Sequence, residues 1–205
     1  MIQPQCDARP MEPTDRETTQ HQTYLRVPFE LSGNTAPIPL SEPPGVSWGT
    51  TEDDDLLAEL LARNLEVSID PREREWVNLT SSRVLAERMI DDARGGTHYE
   101  CDRQWWSSVS LNGQAIGFVM PVVLTGCTRD GLDEGTIYHI GVAPDLRGIG
   151  LGHLLLARAS KTLLDHGVWR IIADTAIENT PMIRVFKRHG WRKKPLIEVP
   201  KQHHP

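Results

Sequence analysis

Three observations predict an α/β fold built on a mixed central sheet. The period of the apolar residues changes along the chain in the order α-α-β-β-β-α-β-α-β. A β-branched stretch at residues 136–142 ends near a proline and is followed by three alternating glycines that open an amphipathic helix. Finally, 205 residues with 39% hydrophobic and 24% charged side chains suffice for one well-cored domain plus an extension. No apolar run approaches the roughly 18 residues that cross a bilayer, and the longest, residues 115–124, holds Gly117 and Pro121 and suits a buried strand. No charged segment followed by an apolar core opens the chain, so a cytoplasmic location without a membrane partner is expected.

Residues 1 to about 20 are polar and unperiodic, a composition that cannot supply a core, and 8 of the 15 prolines fall in the first 44 residues. Residues 24–31 alternate well enough for a short strand. The four prolines between Asn34 and Gly45 make an extended connector, so 1–47 reads as an arm and 48–205 as the domain. A helix starts near Thr51, where Thr51 or Glu52 to Asp55 offer a cap and first-turn acids, and Leu56, Leu57, Leu60, Leu61 and Leu65 form its apolar face. After a loop, a second helix fits residues 82–94, with Val84, Leu85, Met89 and Ile90 inward.

Past Gly95-Gly96 the period becomes two. Residues 104–111, the Asn112-Gly113 pair and residues 114–124 read as a hairpin with a type I′ turn. Adjacent Trp105 and Trp106 then face opposite sides of that sheet. Residues 136–142 form a strand, 150–166 a helix ended by Gly167, and 169–175 another strand. A last helix begins at Asn179 or Thr180 with Pro181 in its first turn and stops at Gly190.

Cys6, Cys101 and Cys127 lie far apart with no C-x-x-C, which fits unpaired thiols better than a disulfide framework or a zinc site. His203 and His204 sit in a polar tail, and no metal is assigned. The net charge of −6 argues against nucleic acid as a partner. The charge is polarised: from Arg147 onward 11 Lys and Arg stand against 4 Asp and Glu, and before it 11 stand against 24. A basic half that begins at the glycine loop favours a polyanionic cofactor, and the acidic half favours a cationic second substrate. Nothing in the sequence speaks to oligomeric state.

Residues 140–153 read Ile-Gly-Val-Ala-Pro-Asp-Leu-Arg-Gly-Ile-Gly-Leu-Gly-His. The glycines allow a tight turn with uncovered amides, and the helix behind adds its unpaired first-turn donors and positive dipole end, a combination suited to phosphate. A dinucleotide fold needs G-x-G-x-x-G/A and an acid at the end of the next strand; Gly148, Gly150 and Asp174 comply, but the third small position is His153. A P-loop needs Gly-Lys-Ser/Thr after the glycines, which is absent.

Arg147-Gly148-Ile149-Gly150-Leu151-Gly152 resembles the R/Q-x-x-G-x-G/A signature of the GCN5-related N-acetyltransferase (GNAT) superfamily. The preceding Ile-Gly-Val-Ala-Pro resembles that family's fourth strand and its exit. Asn179 followed by Val185-Phe186-Lys187-Arg188-His189-Gly190-Trp191 is similar to its second motif. The resemblance spans residues 48–194 and implies a GNAT fold: a mixed sheet splayed at the fourth and fifth strands and flanked by helices. It also implies transfer of an acetyl or short acyl group from acetyl-CoA, without a metal, to a primary amine on a small molecule or peptide by direct attack. On this resemblance the main chain of Arg147, Gly148, Ile149, Gly150, Leu151 and Gly152 holds the pyrophosphate, with Asn179 also on the cofactor side. Ile140, Gly141 and Val142 pair with the pantetheine arm like an added strand, and an amide near Ile140 or Val142 polarises the thioester carbonyl.

Direct attack needs a base for the ammonium proton, and an acid can assist the departing thiolate. The family's tyrosine acid, seven residues after the motif-two asparagine, falls on Phe186, which gives no proton. The alternative implied is a non-catalytic acyl-CoA-binding or regulatory domain. For the base, parity puts Tyr138, Thr136 and Glu134 on the face where family bases lie and His139 on the other, and a bulge would bring His139 in. Tyr138, Glu134 and Glu178 are the catalytic candidates. Acceptor specificity is expected from the two N-terminal helices, the loop between them with Asp70, Glu73 and Glu75, and the hairpin, where one of Trp105 and Trp106 could wall a pocket.

Overall fold

The structure is a computed structural model that describes residues 23–39, 41–51, 53–95 and 97–201. Cys6, Glu52, Gly96, His203, His204 and the polar stretch to about residue 20 lie outside the described residues.

β1 (Thr23–Ser32) turns Val27, Phe29 and Leu31 to the main core and Arg26, Pro28 and Glu30 to the opposite face. This is the strand foreseen at 24–31, yet it lies within the sheet and is no detached arm. β2 (Val46–Thr50), which no pattern announced, pairs at the sheet edge. α1 (Asp54–Glu66) is capped by Asp53, whose carboxylate accepts from the Leu56 amide, and it buries Leu57, Leu60, Leu61 and Leu65.

α2 (Pro71–Leu79) replaces the expected loop. Asp70 caps it and Pro71 occupies its first position, a start signal that its polar sequence did not follow with any apolar period. α3 (Ser82–Gly95) buries Leu85, Ala86, Ile90 and Ala93, and Val84, expected inward, is exposed. A short β3 (Tyr99–Glu100) follows, and then β4 (Ser107–Leu111) and β5 (Gln114–Leu124) form the hairpin. Asn112 and Gly113 both have positive φ, as a type I′ turn demands.

β6 (Glu134–Val142), α4 (Leu151–His166), β7 (Arg170–Ala176) and α5 (Thr180–Arg188) complete the unit around the glycine loop. β8 (Arg192–Lys193) and β9 (Ile197–Pro200) both add to β1. The strand order is β2-β4-β5-β6-β7-β1-β8, with β3 on β5 and β9 on β1, and among the described residues only β6 and β7 run parallel. α4 and α5 pack with β1 on one face of the sheet, and α1 and α3 cover the other. The sheet is therefore mixed and sandwiched between helices. Cys127 is disulfide-bonded and Cys101 is a free thiol. That corrects the expectation of unpaired thiols at Cys127.

β6 and β7 share only three residue pairs, Glu134↔Arg170, Gly135↔Ile171 and Thr136↔Ile172, and then part. At this closed end Arg170 binds both Glu134 and Glu30, and Glu30 also meets Arg192 and Lys194, so one charge ladder crosses four strands. Beyond the parting, β7 keeps its other edge paired to β1 as far as Ala176.

β1 carries the stack that anchors α5. Phe29 lies 4.6 Å from Phe186, and Phe186 lies 5.0 Å from Trp191. Phe29→Ala is expected to cost about 3–5 kcal/mol of stability, read from denaturant midpoints at unchanged slope. His189 stacks on His153 at 5.2 Å. Burial, and then His153, lower its pKa from the usual 6.5 to about 4. The unfolded chain therefore binds the extra proton between these values, so this contribution is complete above pH 6.5 and is lost as pH falls toward 4. His189→Gln should flatten that acid limb in a plot of Tm against pH.

Candidate active site at the parting of two strands

The glycine loop begins after a short turn at Pro144–Leu146. Gly148 and Gly150 have φ of +87° and +94°, and nothing lies within 4 Å of where a Cβ would stand on either. Gly150 is the cap residue of α4, so no side chain accepts from the first-turn amides. Sixteen residues of helix stand behind this uncapped end, and the loop from Arg147 to Gly150 is exposed. A side chain at Gly150 would fill the space in front of the donors. The loop is thus an open anion cradle in which donors, dipole and clearance coincide.

The cleft between β6 and β7 starts where the cradle ends. Ala143 donates its amide to Ile116 on β5, so by alternation the N–H and C=O of Val142 and Ile140 face the cleft. The Val142 carbonyl accepts from Asn64 Nδ2 at 3.1 Å and from Arg147 Nε at 3.3 Å. Gly141 faces the other way: a Cβ there would stand 2.6 Å from Phe118 and 2.9 Å from the Asn64 amide. Its role is to let α1 approach the strand.

β6 contains a bulge. Met120 on β5 pairs with His139 and Pro121 with Ile137, which leaves Tyr138 as an extra residue. Proline has no N–H to continue the ladder, so the bulge falls where β5 cannot donate. The consequence is that Tyr138 and His139 turn to the same face. Tyr138 donates to Asp92 Oδ2 at 2.9 Å, and His139 stacks on Phe118 at 5.7 Å with its Nδ1 3.8 Å from Glu73 Oε1 on α2. Glu73 is itself held by the Ser68 hydroxyl.

Against this geometry the three catalytic candidates do not converge. Burial, then the Asp92 charge and hydrogen bond, push the Tyr138 phenol far above its ordinary pKa, so it is a fixed donor and a poor base. Glu134 is buried and bound to Arg170 at the closed end of the sheet, four residues before the bulge. Glu178 is exposed in the turn before α5. Asn179 caps α5, its Oδ1 accepting from Met182. Phe186 lies in the core and not in the cleft. Trp106 is buried with its indole donating to the Pro121 carbonyl, and Trp105 lies against His166 at the far end of α4. Both therefore lie away from the cradle.

What the sequence did not bring together is the group from α2 and β1. Arg26 on β1 binds Asp70 at the start of α2 and Asp174 on β7. Burial alone would lower the Arg26 pKa, but Asp174 and Asp70 outweigh it and raise it. This bridge lays α2 across the open end of the cleft, with Glu73 beside His139. Two signals were readable: Pro121 inside a strand marked the bulge, and Asp70-Pro71 marked the helix start.

This constellation, a glycine cradle and a bulged, splayed strand pair, defines an acyltransferase-type α/β fold. The Acetyltransferase (GNAT) family is matched over residues 72–191, more than half of the chain, and the chain belongs to that family. It is similar to mycothiol acetyltransferase of Cellulomonas flavigena, with 34% identity over 86 residues, covering 40% of this chain and 25% of that protein. Among solved structures, a GCN5-related N-acetyltransferase from Sphaerobacter thermophilus superposes with a TM-score of 0.53 at 17% identity, covering 86% of this chain and 50% of that one. A GNAT-family acetyltransferase from Colwellia psychrerythraea gives 0.57 at 12% identity, covering 87% and 56%. At these identities the solved structures speak for the fold alone. The chain spans a quarter of the length of the curated relative. The family match begins at Arg72, so β1, β2 and α1 lie outside it. Among the described residues no helix is long and apolar enough to cross a membrane.

Tyr138→Phe is expected to lower stability by about 1 kcal/mol, since Asp92 loses its donor. The measurement is the denaturant midpoint at unchanged slope.

Proposed function

We propose that this chain transfers an acetyl group from acetyl-CoA to the amine of a small molecule or peptide, with His139 as the base. One arrangement carries the reading: the uncapped loop at the start of α4 continues directly into the cleft-facing backbone of Val142 and Ile140, which ends at the bulge. A phosphate at the first and an extended amide chain along the second are what a CoA molecule offers. Acetyl-CoA, when bound, supplies the activated acyl group as a thioester.

In this reading the amides from Arg147 to Gly152 hold the pyrophosphate. The Arg147 guanidinium, which bonds the Val142 carbonyl, releases that carbonyl to the pantetheine and adds positive charge at the phosphates. The Ile140 amide faces the thioester oxygen and favours the negative charge that develops there. His139 takes the proton from the substrate ammonium, and Glu73 stabilises the imidazolium that results. The neutral amine then bonds to the acyl carbon, the carbon–sulfur bond breaks, and the thiolate takes a proton from water. Phe186 offers none, and a thiol is acidic enough to leave this way. The alternative of a non-catalytic acyl-CoA-binding domain rested on Phe186 and the want of a base, and the His139–Glu73 pair favours catalysis over it.

Gly150→Asp puts a side chain and a negative charge into the cradle. CoA affinity should fall by about 100-fold or more while the domain stays folded, because one left-handed non-glycine residue costs only about 1–2 kcal/mol. Unchanged affinity by calorimetry in the folded variant would place the pyrophosphate elsewhere. His139→Gln should lower kcat/KM by about 10²–10⁴-fold with CoA affinity retained. Wild-type turnover by that variant across a panel of amines would remove His139 from the mechanism.

A further inference from the structure

Arg72 stands apart from the partly buried arginines. Arg26 is matched by Asp70 and Asp174, and Arg170 by Glu134 and Glu30. Arg72 is only 7% exposed, yet among the described residues no carboxylate lies within ion-pair distance of it. Its contact is the Trp76 ring, with the guanidinium carbon 4.2 Å from the ring centroid. Stacking covers a face of the guanidinium and leaves its in-plane N–H edge clear of any carboxylate among the described residues. A buried guanidinium that feels acids only at a distance, with no carboxylate in contact, leaves its desolvation poorly offset.

Its position says where the missing anion belongs. Asp70, two residues before it, is tied through Arg26 to Asp174 on β7, and Glu73, the next residue, stands beside His139 on β6. Arg72 is therefore held over the gap between the two strands. Its electrostatic neighbours are Asp174 and Tyr138, one on each lip, with Glu73 and Tyr99; burial lowers its pKa and the acids only partly oppose this.

We infer that Arg72 receives a carboxylate of the acceptor, so that the amine acetylated belongs to a small amino-carboxylate such as an amino acid. This rests on the acetyltransferase reading, in which the amine is delivered to His139. A guanidinium offers a carboxylate two parallel N–H donors, and a stacked ring fixes the plane in which they meet it. The acidic groups nearby suit the ammonium end of the same molecule, so the two charges of one zwitterion find opposite partners.

The test compares amino acids with their carboxamides as acceptors, by thiol release from acetyl-CoA, in wild type, Arg72→Lys and Arg72→Met. Binding of N-acetyl amino acids is measured separately by calorimetry without acetyl-CoA. Wild type should prefer the amino acids by about 100-fold in kcat/KM, and Arg72→Met should erase that preference, mainly through KM, with the carboxamides within a few-fold. Arg72→Lys should restore part of it, and the Tm of Arg72→Met should not fall, because an uncompensated buried charge is removed. Equal use of amino acids and carboxamides by wild type, equal impairment of both by Arg72→Met, or unfolding of that variant would overturn the inference. N-acetyl amino acids that bind wild type and not Arg72→Met, in a protein that acetylates no amine, would support the carboxylate site and sink the acetyltransferase reading instead.

Discussion

The parting of β6 from β7 after Thr136 and Ile172 is the constraint on which the rest of the molecule depends. Two parallel strands that separate leave backbone donors and acceptors facing a gap, and such groups demand partners. On β7 the edge away from the gap is covered by β1 along its whole length, as that of β6 is by β5. On β6 the Val142 carbonyl is occupied by Asn64 and Arg147, both polar side chains that a competing amide can displace. A strand edge so prepared is a binding surface for an extended chain, and the phosphate cradle lies directly at its end.

Charge keeps the two strands joined at one end and apart at the other. The ladder through Glu134, Arg170, Glu30, Arg192 and Lys194 runs across the closed end. At the open end Arg26 holds Asp174 away from β6 by pairing it with Asp70 on α2. The pairs of Glu134 with Arg170 and of Arg26 with Asp70 and Asp174 are largely buried, so salt screens them less than exposed pairs, and removing one partner leaves the other charge stranded. The same bridge sets α2 over the cleft, which is why Arg72 and Glu73 reach it.

Much of this was legible in the sequence, and the part that was not has physical reasons. The glycine loop, its strand and its helix follow from local rules of turn geometry and dipole, which depend on neighbours in the chain. Faces could be assigned by parity only up to the bulge, where one extra residue turned His139 to the side of Tyr138. The place of β1 in the sheet depends on contacts between residues nearly 150 positions apart, such as Arg26 and Asp174, and no local pattern encodes such pairing. α2 escaped notice because its sequence, Pro-Arg-Glu-Arg-Glu-Trp-Val-Asn-Leu, has capping signals but no apolar stripe. Glu134 is a candidate base by parity with Tyr138 alone, which says nothing of what it binds. Only the structure supplies Arg170 as the reason it is tolerated.

The most direct test of the central claim is amide hydrogen exchange with and without CoA. If the cofactor lies along the open edge of β6 with its pyrophosphate at α4, protection should rise at the amides of Ile140 and Val142 and across residues 148–152. Protection along α3 should be unchanged. Protection elsewhere, with residues 140–152 exchanging as fast as in the free protein, would contradict the account.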